Sequence, residues 1–140
     1  CGIVGTIAFN QPKVGRVKAG PIEISSMGCG TWSWGNRILW DYDPSKDDEI
    51  YAAYREVRDA GVTLFDTADS YGTLELNGRS EILLGEFDRR YQEEQRKKFG
   101  PFSSFLPSSQ THQVATKFAP YPWRVTRGSM VNAAKASLER

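Results

Sequence analysis

The chain has 140 residues, 39% of them hydrophobic, with four Trp, six Tyr and seven Phe, which is enough apolar material for one modest core and a single domain. Eighteen Lys and Arg stand against 17 Asp and Glu, so no basic field points to nucleic acid or to an anionic membrane. No apolar run approaches the roughly 18 residues of a membrane span, no signal-peptide pattern opens the chain, and the two cysteines, Cys1 and Cys29, make no disulfide framework; the expectation is a soluble chain in a reducing, intracellular compartment.

In chain order, residues 14–25 (VGRVKAGPIEIS) alternate weakly about a Gly-Pro turn and predict a small hairpin. Residues 26–32 (SMGCGTW) form a short, glycine-containing strand candidate. A helix then starts at Ser45 as cap, with Asp48 three residues on in a capping-box arrangement. Ile50, Ala53, Tyr54 and Val57 give it one apolar face, and Gly61 stands where a left-handed residue ends a helix. A strand over 62–65 follows, then a helix over roughly 79–91 with Ile82, Leu83 and Phe87 inward. The charge run RRYQEEQRKK (89–98) mixes both signs and reads as solvated surface. The stretch 88–112 exceeds the usual helix-to-strand connection of ~2–6 residues, and its tract GPFSSFLPSSQTHQ reads as a flexible excursion on the face away from any site. VATKF (114–118) is the next strand, and the last helix begins near Thr126 or Ser129 with Met130, Val131, Ala134 and Leu138 on its face.

Strands alternating with helices in this way imply a parallel sheet, whose strands are buried on both faces and read as continuous apolar runs. Gly28 and Gly30 match the first two glycines of a dinucleotide-binding G-x-G-x-x-G. Ser33 holds the sixth position, however, and about a dozen residues separate the stretch from the next helix, so the doubly wound dinucleotide fold is disfavoured. The α/β architecture expected is the N-terminal portion of a (β/α)8 barrel preceded by a hairpin, with a flavodoxin-like sheet as runner-up. A barrel needs ~250 residues, and three strand–helix units are visible, so the chain is expected to be part of a longer protein, interrupted after its third helix.

In a barrel, the strand C-termini and the loops after them build the site. Asp66 ends the second strand of the series, Tyr71 lies in the loop after it and Lys117 ends the third. A free tyrosine has a pKa of ~10, and a nearby ammonium favours its phenolate, while a carboxylate beside the lysine keeps that lysine charged and oriented. Such a Tyr can give its proton to a carbonyl oxygen as negative charge develops there. The alternative is an Asp capping a loop, a Tyr packing its ring and a surface Lys.

FDTADSYG, followed by NGRSEILLGE and VATKF, resembles the aldo-keto reductase family. Together with GTWSWGN, DTADSYGT and ATKFAPYPWR, the resemblance runs from about residue 17 to residue 140 and is closest to the family's plant and algal plastid branch. It implies a partial reductase domain over 17–140 behind an N-terminal extension, 1–16. It also implies NADPH-dependent reduction of aldehydes or ketones, with Tyr71 as general acid, Lys117 as the cation that lowers its pKa and Asp66 as the carboxylate partner. By the same resemblance Gly30, Thr31 and Trp32, with Asp66, lie against the nicotinamide ribose, and Trp32 also borders the substrate pocket. Trp123, in the loop after the third strand, is a further candidate for the substrate wall. The partner implied is a small carbonyl compound, with neither nucleic acid nor membrane, and the location is the plastid, with the cytoplasm as alternative.

The fourth member of the family's catalytic tetrad, a His on the fourth strand, falls beyond Arg140. His112 precedes the third strand, at the opposite end of the barrel, and is expected to be a surface loop residue. Two other readings stand beside this one. Some barrels of the same family are channel-associated regulatory subunits that bind cofactor with little turnover. The opening CGIVG resembles the N-terminal nucleophile of class II glutamine amidotransferases, but nothing after it continues that pattern, so Cys1 is read as a truncation or processing point.

Overall fold

The structure, a computed structural model, describes residues 14–101 and 112–140. Cys1 with its amidotransferase reading, most of the 1–16 extension and most of the GPFSSFLPSSQTHQ tract lie outside the described residues. Strands β1 (Arg16–Ala19) and β2 (Ile22–Ser25) form the expected antiparallel hairpin, with Arg16 opposite Ser25 and Ala19 opposite Ile22. Strands β3 (Gly28–Gly30), β4 (Leu64–Asp66) and β5 (Gln113–Ala115) make a parallel sheet in the order β3-β4-β5, pairing Gly30 with Asp66 and Asp66 with Ala115. Each strand thus lies beside the next in sequence, with helices α1 (Arg37–Trp40) and α2 (Asp47–Asp59) connecting β3 to β4, and α3 (Arg79–Phe99) connecting β4 to β5. Helix α4 (Arg127–Glu139) follows β5.

The start of α2 differs from expectation. Ser45 is not its cap: the Asp43 carboxylate accepts the Ser45 N–H, and Pro44–Lys46 form a 3-10 turn that leads into the helix at Asp47. Proline pre-sets the first residue of that turn, and Asp47, Asp48 and Glu49 then place negative charge against the positive helix end. The C-terminus is as expected. Gly61 (φ 93) takes the left-handed position, its N–H bonds the Arg58 carbonyl, and the Val62 N–H reaches back to the Val57 carbonyl, the two bonds of a Schellman motif.

Helix α3 runs past the expected end at 91 to Phe99. Its buried stripe continues through Leu83, Leu84, Phe87, Tyr91 and Gln95, and no breaker intervenes before Gly100 and Pro101. The charged run is therefore not uniformly solvated, since Tyr91 and Gln95 are buried within it. Ile82 is only half-buried, because Leu84 takes the inward position beside Leu83.

An aromatic core lies between the sheet, α2 and α3: Trp34, Tyr42, Tyr51, Tyr54, Phe65, Leu83, Leu84, Phe87 and Tyr91. Tyr54 is its hub, with ring centroids 5.2 Å from Phe65, 5.9 Å from Phe87, 6.1 Å from Tyr91 and 6.4 Å from Trp34. Its hydroxyl, and that of Tyr91, donate to Asp88 and Asp59 at 3.0 and 2.8 Å, so these buried phenols keep acceptors. Phe65 faces this core from the middle of β4 and is wholly buried, whereas Asp66 next to it is exposed, as alternation along a strand requires. Helix α4 is capped by Thr126, whose hydroxyl accepts the Ser129 N–H, but the expected apolar face is uncovered: Met130, Val131 and Leu138 are all exposed.

Candidate active site

Strand β4 is shorter at its start than expected and reaches Asp66; β5 ends at Ala115, so Lys117 lies two residues past the ladder instead of within it. The two side chains nevertheless meet: the Lys117 ammonium donates to Asp66 Oδ1 at 2.7 Å. Lys117 Nζ also lies 5.0 Å from the centroid of the Tyr71 ring. Burial alone pulls the Lys117 ammonium toward deprotonation, but hydrogen bonding to Asp66 and Tyr71 outweighs it and raises its pKa above the ordinary lysine value. The three residues thus converge at the C-terminal ends of adjacent parallel strands.

Local chemistry fixes the loop that carries Tyr71. The Tyr71 N–H bonds the Ala68 carbonyl at 3.1 Å, and the Tyr71 carbonyl accepts the Ser80 N–H at 3.3 Å. Gly72 follows with φ 130, where a Cβ would overlap the Leu76 carbonyl, so only glycine closes this turn. Beneath the site three buried hydroxyls join the strand ends: Ser80 Oγ donates to Thr31 Oγ1 at 2.6 Å and lies 3.1 Å from Thr67 Oγ1. Thr31 in turn bonds the Asp66 carbonyl through its backbone N–H (3.0 Å) and its hydroxyl (3.1 Å).

At the end of β3, Gly30 faces open space, with no atom within 4 Å of where a Cβ would stand. The Thr31 side chain is wholly buried, while Trp32 is half exposed and sits edge-on to Trp40 of α1 at 6.1 Å. Trp123 is 75% exposed, stacked on Tyr121 with ring centroids 5.0 Å apart. His112 precedes β5 at the end of the sheet opposite Asp66, but it is not a surface residue. Its side chain is 15% exposed, Nδ1 lies 2.8 Å from Asp88 Oδ1, and its ring meets Phe65 edge-on at 6.1 Å. Sequence reasoning missed Ser80, Trp40 and Asp69. Of these, Asp69 carried a signal, a second acidic residue between Asp66 and Tyr71, and it is buried. Among the described residues no helix is long and apolar enough to cross a membrane.

Residues 26–140 match the Aldo/keto reductase family. The chain is 49% identical over 126 residues to the chloroplastic pyridoxal reductase of Arabidopsis thaliana, covering 89% of this chain and 31% of that protein. It is 34% identical over 77 residues to the NADH-specific methylglyoxal reductase of Escherichia coli, covering 53% of this chain and 21% of that one. A crystal structure of a thermostable aldo-keto reductase with the inhibitor epalrestat superposes with a TM-score of 0.56 at 22% identity, over 89% of this chain and 37% of the other. That likeness makes the β3-β4-β5 sheet and its crossover helices the N-terminal part of a (β/α)8 barrel. The chain spans between 21% and 37% of the length of these relatives.

Proposed function

The chain belongs to the aldo/keto reductase family, and on that footing we propose that the full protein reduces an aldehyde or ketone to the alcohol with NADPH. The observation that carries this reading is the Lys117 ammonium, 2.7 Å from Asp66 and 5.0 Å from the Tyr71 ring centroid, at the C-terminal ends of neighbouring parallel strands. Tyr71 gives its hydroxyl proton to the carbonyl oxygen as negative charge develops there. Lys117, held charged by Asp66, stabilises the phenolate left behind, and the general acid supplies about 10²–10⁴-fold.

Gly30, Trp32 and Asp66 fit a nicotinamide and its ribose: the glycine leaves the approach open, and both side chains reach solvent beside it. Thr31 acts from beneath, since its hydroxyl is already engaged with Asp66 and Ser80. NADPH, when bound, supplies the hydride to the carbonyl carbon, so that carbonyl, NADPH and one proton become alcohol and NADP⁺. An aromatic aldehyde of the pyridoxal type is the proposed substrate. The name of the Arabidopsis relative supports it, as do the exposed rings of Trp32, Trp40 and Trp123, against which a planar substrate can lie. The same relative supports a plastid location; the reductase domain is proposed to begin near residue 17, ahead of the family match over 26–140.

The test is pyridoxal-dependent oxidation of NADPH by the full protein, with methylglyoxal and NADH as comparison substrate and cofactor. The Tyr71→Phe variant keeps the ring and removes the proton donor, so turnover falls ~10²–10⁴-fold while NADPH binding stays near normal. Tight NADPH binding with no carbonyl turnover in the unmodified protein refutes the enzyme reading in favour of a regulatory barrel.

A further inference from the structure

We propose that Asp69 and Arg124 form a clamp that positions Lys117 against Asp66 and Tyr71; this role rests on the reading of Tyr71 as proton donor. Asp69 lies between Asp66 and Tyr71 in the sequence, and its side chain is 5% exposed. Its polar groups bind the segment that carries Lys117. The Asp69 N–H donates to the Lys117 carbonyl at 3.0 Å, Oδ1 accepts the Ala119 N–H at 3.0 Å, and Oδ2 accepts Arg124 Nη2 at 2.5 Å.

Arg124 gathers that segment from the other side. Its guanidinium lies 4.4 Å from the Phe118 ring centroid and 5.9 Å from that of Tyr121, and its backbone N–H donates to the Tyr121 carbonyl at 2.8 Å. One arginine thus folds residues 118–124 around itself, and one aspartate fastens the result to the loop that carries Tyr71.

Lys117 needs such a device. The last ladder pair is Asp66 with Ala115, so the strands stop fixing the backbone before Lys117 is reached. The Asp66 and Lys117 side chains are 56% and 48% exposed, and an ion pair that open to water holds its own geometry weakly. Asp69 is buried and Arg124 partly so, with side chains 5% and 20% exposed, so loss of the arginine leaves a buried carboxylate uncompensated. A misplacement of about 1 Å near a reacting centre costs about 10²-fold in rate.

The experiment uses the full protein carrying Asp69→Asn, Arg124→Met, Arg124→Lys or the Asp69→Asn/Arg124→Met pair, with Tyr71→Phe as reference. In the first two kcat falls about 10–100-fold, the NADPH dissociation constant holds, and the primary isotope effect with 4-deuterated NADPH rises because chemistry has become limiting. A purely structural role moves the melting temperature but not that isotope effect. The double variant is no worse than the poorer single one, since the two groups act as a unit, and Arg124→Lys falls between wild type and Arg124→Met. A crystal structure of Asp69→Asn shows Lys117 Nζ withdrawn from Asp66. With Tyr71→Phe inactive, an unchanged kcat and isotope effect in Asp69→Asn and Arg124→Met overturn the clamp. Should Tyr71→Phe remain active, the acid assignment falls alone, and the clamp is then judged by whether Lys117 has moved in the crystal.

Discussion

Asp66 and Lys117 are roughly half exposed, and ion pairs in that setting contribute only about 0–1 kcal/mol to folding. Stability is therefore a poor reason for this pair to exist, and chemistry at Tyr71 is a better one. Lys117→Met should change the urea midpoint by an amount equivalent to about 1 kcal/mol or less, while carbonyl reduction falls by the ~10²–10⁴-fold of a disabled proton donor. A large loss of stability with intact turnover would reverse that assignment. The same pair has a pH signature. The Lys117 pKa is raised in the folded protein, so its small stabilisation is fully present below the unfolded lysine value of ~10.4 and is lost as pH rises through the folded one. Unfolding titrations of wild type and Lys117→Met should therefore converge on the alkaline side and differ below it.

At the scale of elements, α2 and α3 are held to β4 by aromatic rings, and Asp88 is the polar pin within them. Burial pushes its carboxyl pKa up, but His112 and Tyr54 hydrogen bonds and the Arg58 charge outweigh it and leave the pKa below the usual carboxylate range. A depressed carboxyl stabilises above the unfolded value of ~3.9, and that contribution is lost as pH falls through the folded one. Asp88→Asn should thus flatten the acid limb of a stability–pH curve measured by urea unfolding. Phe87→Ala, which removes a buried ring between Trp34, Tyr51 and Tyr54, should cost about 3–5 kcal/mol. Much of this architecture was legible: hairpin, parallel strands and α2 each follow from apolar spacing and one glycine, and FDTADSYG with VATKF carries the candidate site. What was not legible depends on partners distant in sequence. Asp43 caps the 3-10 turn that leads into α2, so Ser45 lies inside that turn and α2 itself starts at Asp47 without a side-chain cap. The extension of α3 rests on Tyr91 and Gln95 finding cover within a charged run. Lys117 lies past the ladder, where Asp69 from across the sheet end bonds the Lys117 carbonyl and the Ala119 N–H, and no local pattern announces that.

At the scale of the whole molecule the sheet is one-sided in its support. Among the described residues β3 and β5 are edge strands, and Val114, Val125, Met130, Val131 and Leu138 all lie exposed on or near β5 and α4. A cavity of about 570 Å3 lies between α4, α3 and β5, lined by Leu84, Val114, Ala134 and Leu138 among others, with Glu81 of α3 bonded to Ser137 and Arg140 at its edge. In a closed barrel such surfaces face further strands and helices, and the relatives extend well beyond the part this chain matches. The hypothesis is that residues 1–140 expressed alone lack the burial that offsets chain entropy over α4 and β5. Open parallel edges also invite pairing with other chains. The expected outcome is self-association by light scattering, a broad melt without a single cooperative step, and no NADPH-dependent carbonyl turnover. Protection against hydrogen exchange should persist longest around Tyr54, Phe65 and Phe87, where the rings interlock, and vanish first in α4, whose described residues are nowhere fully buried. A cooperatively melting monomer that binds NADPH and reduces an aldehyde would sink the hypothesis, because Asp66, Tyr71 and Lys117 would then need neither the remaining strands nor their loops to work.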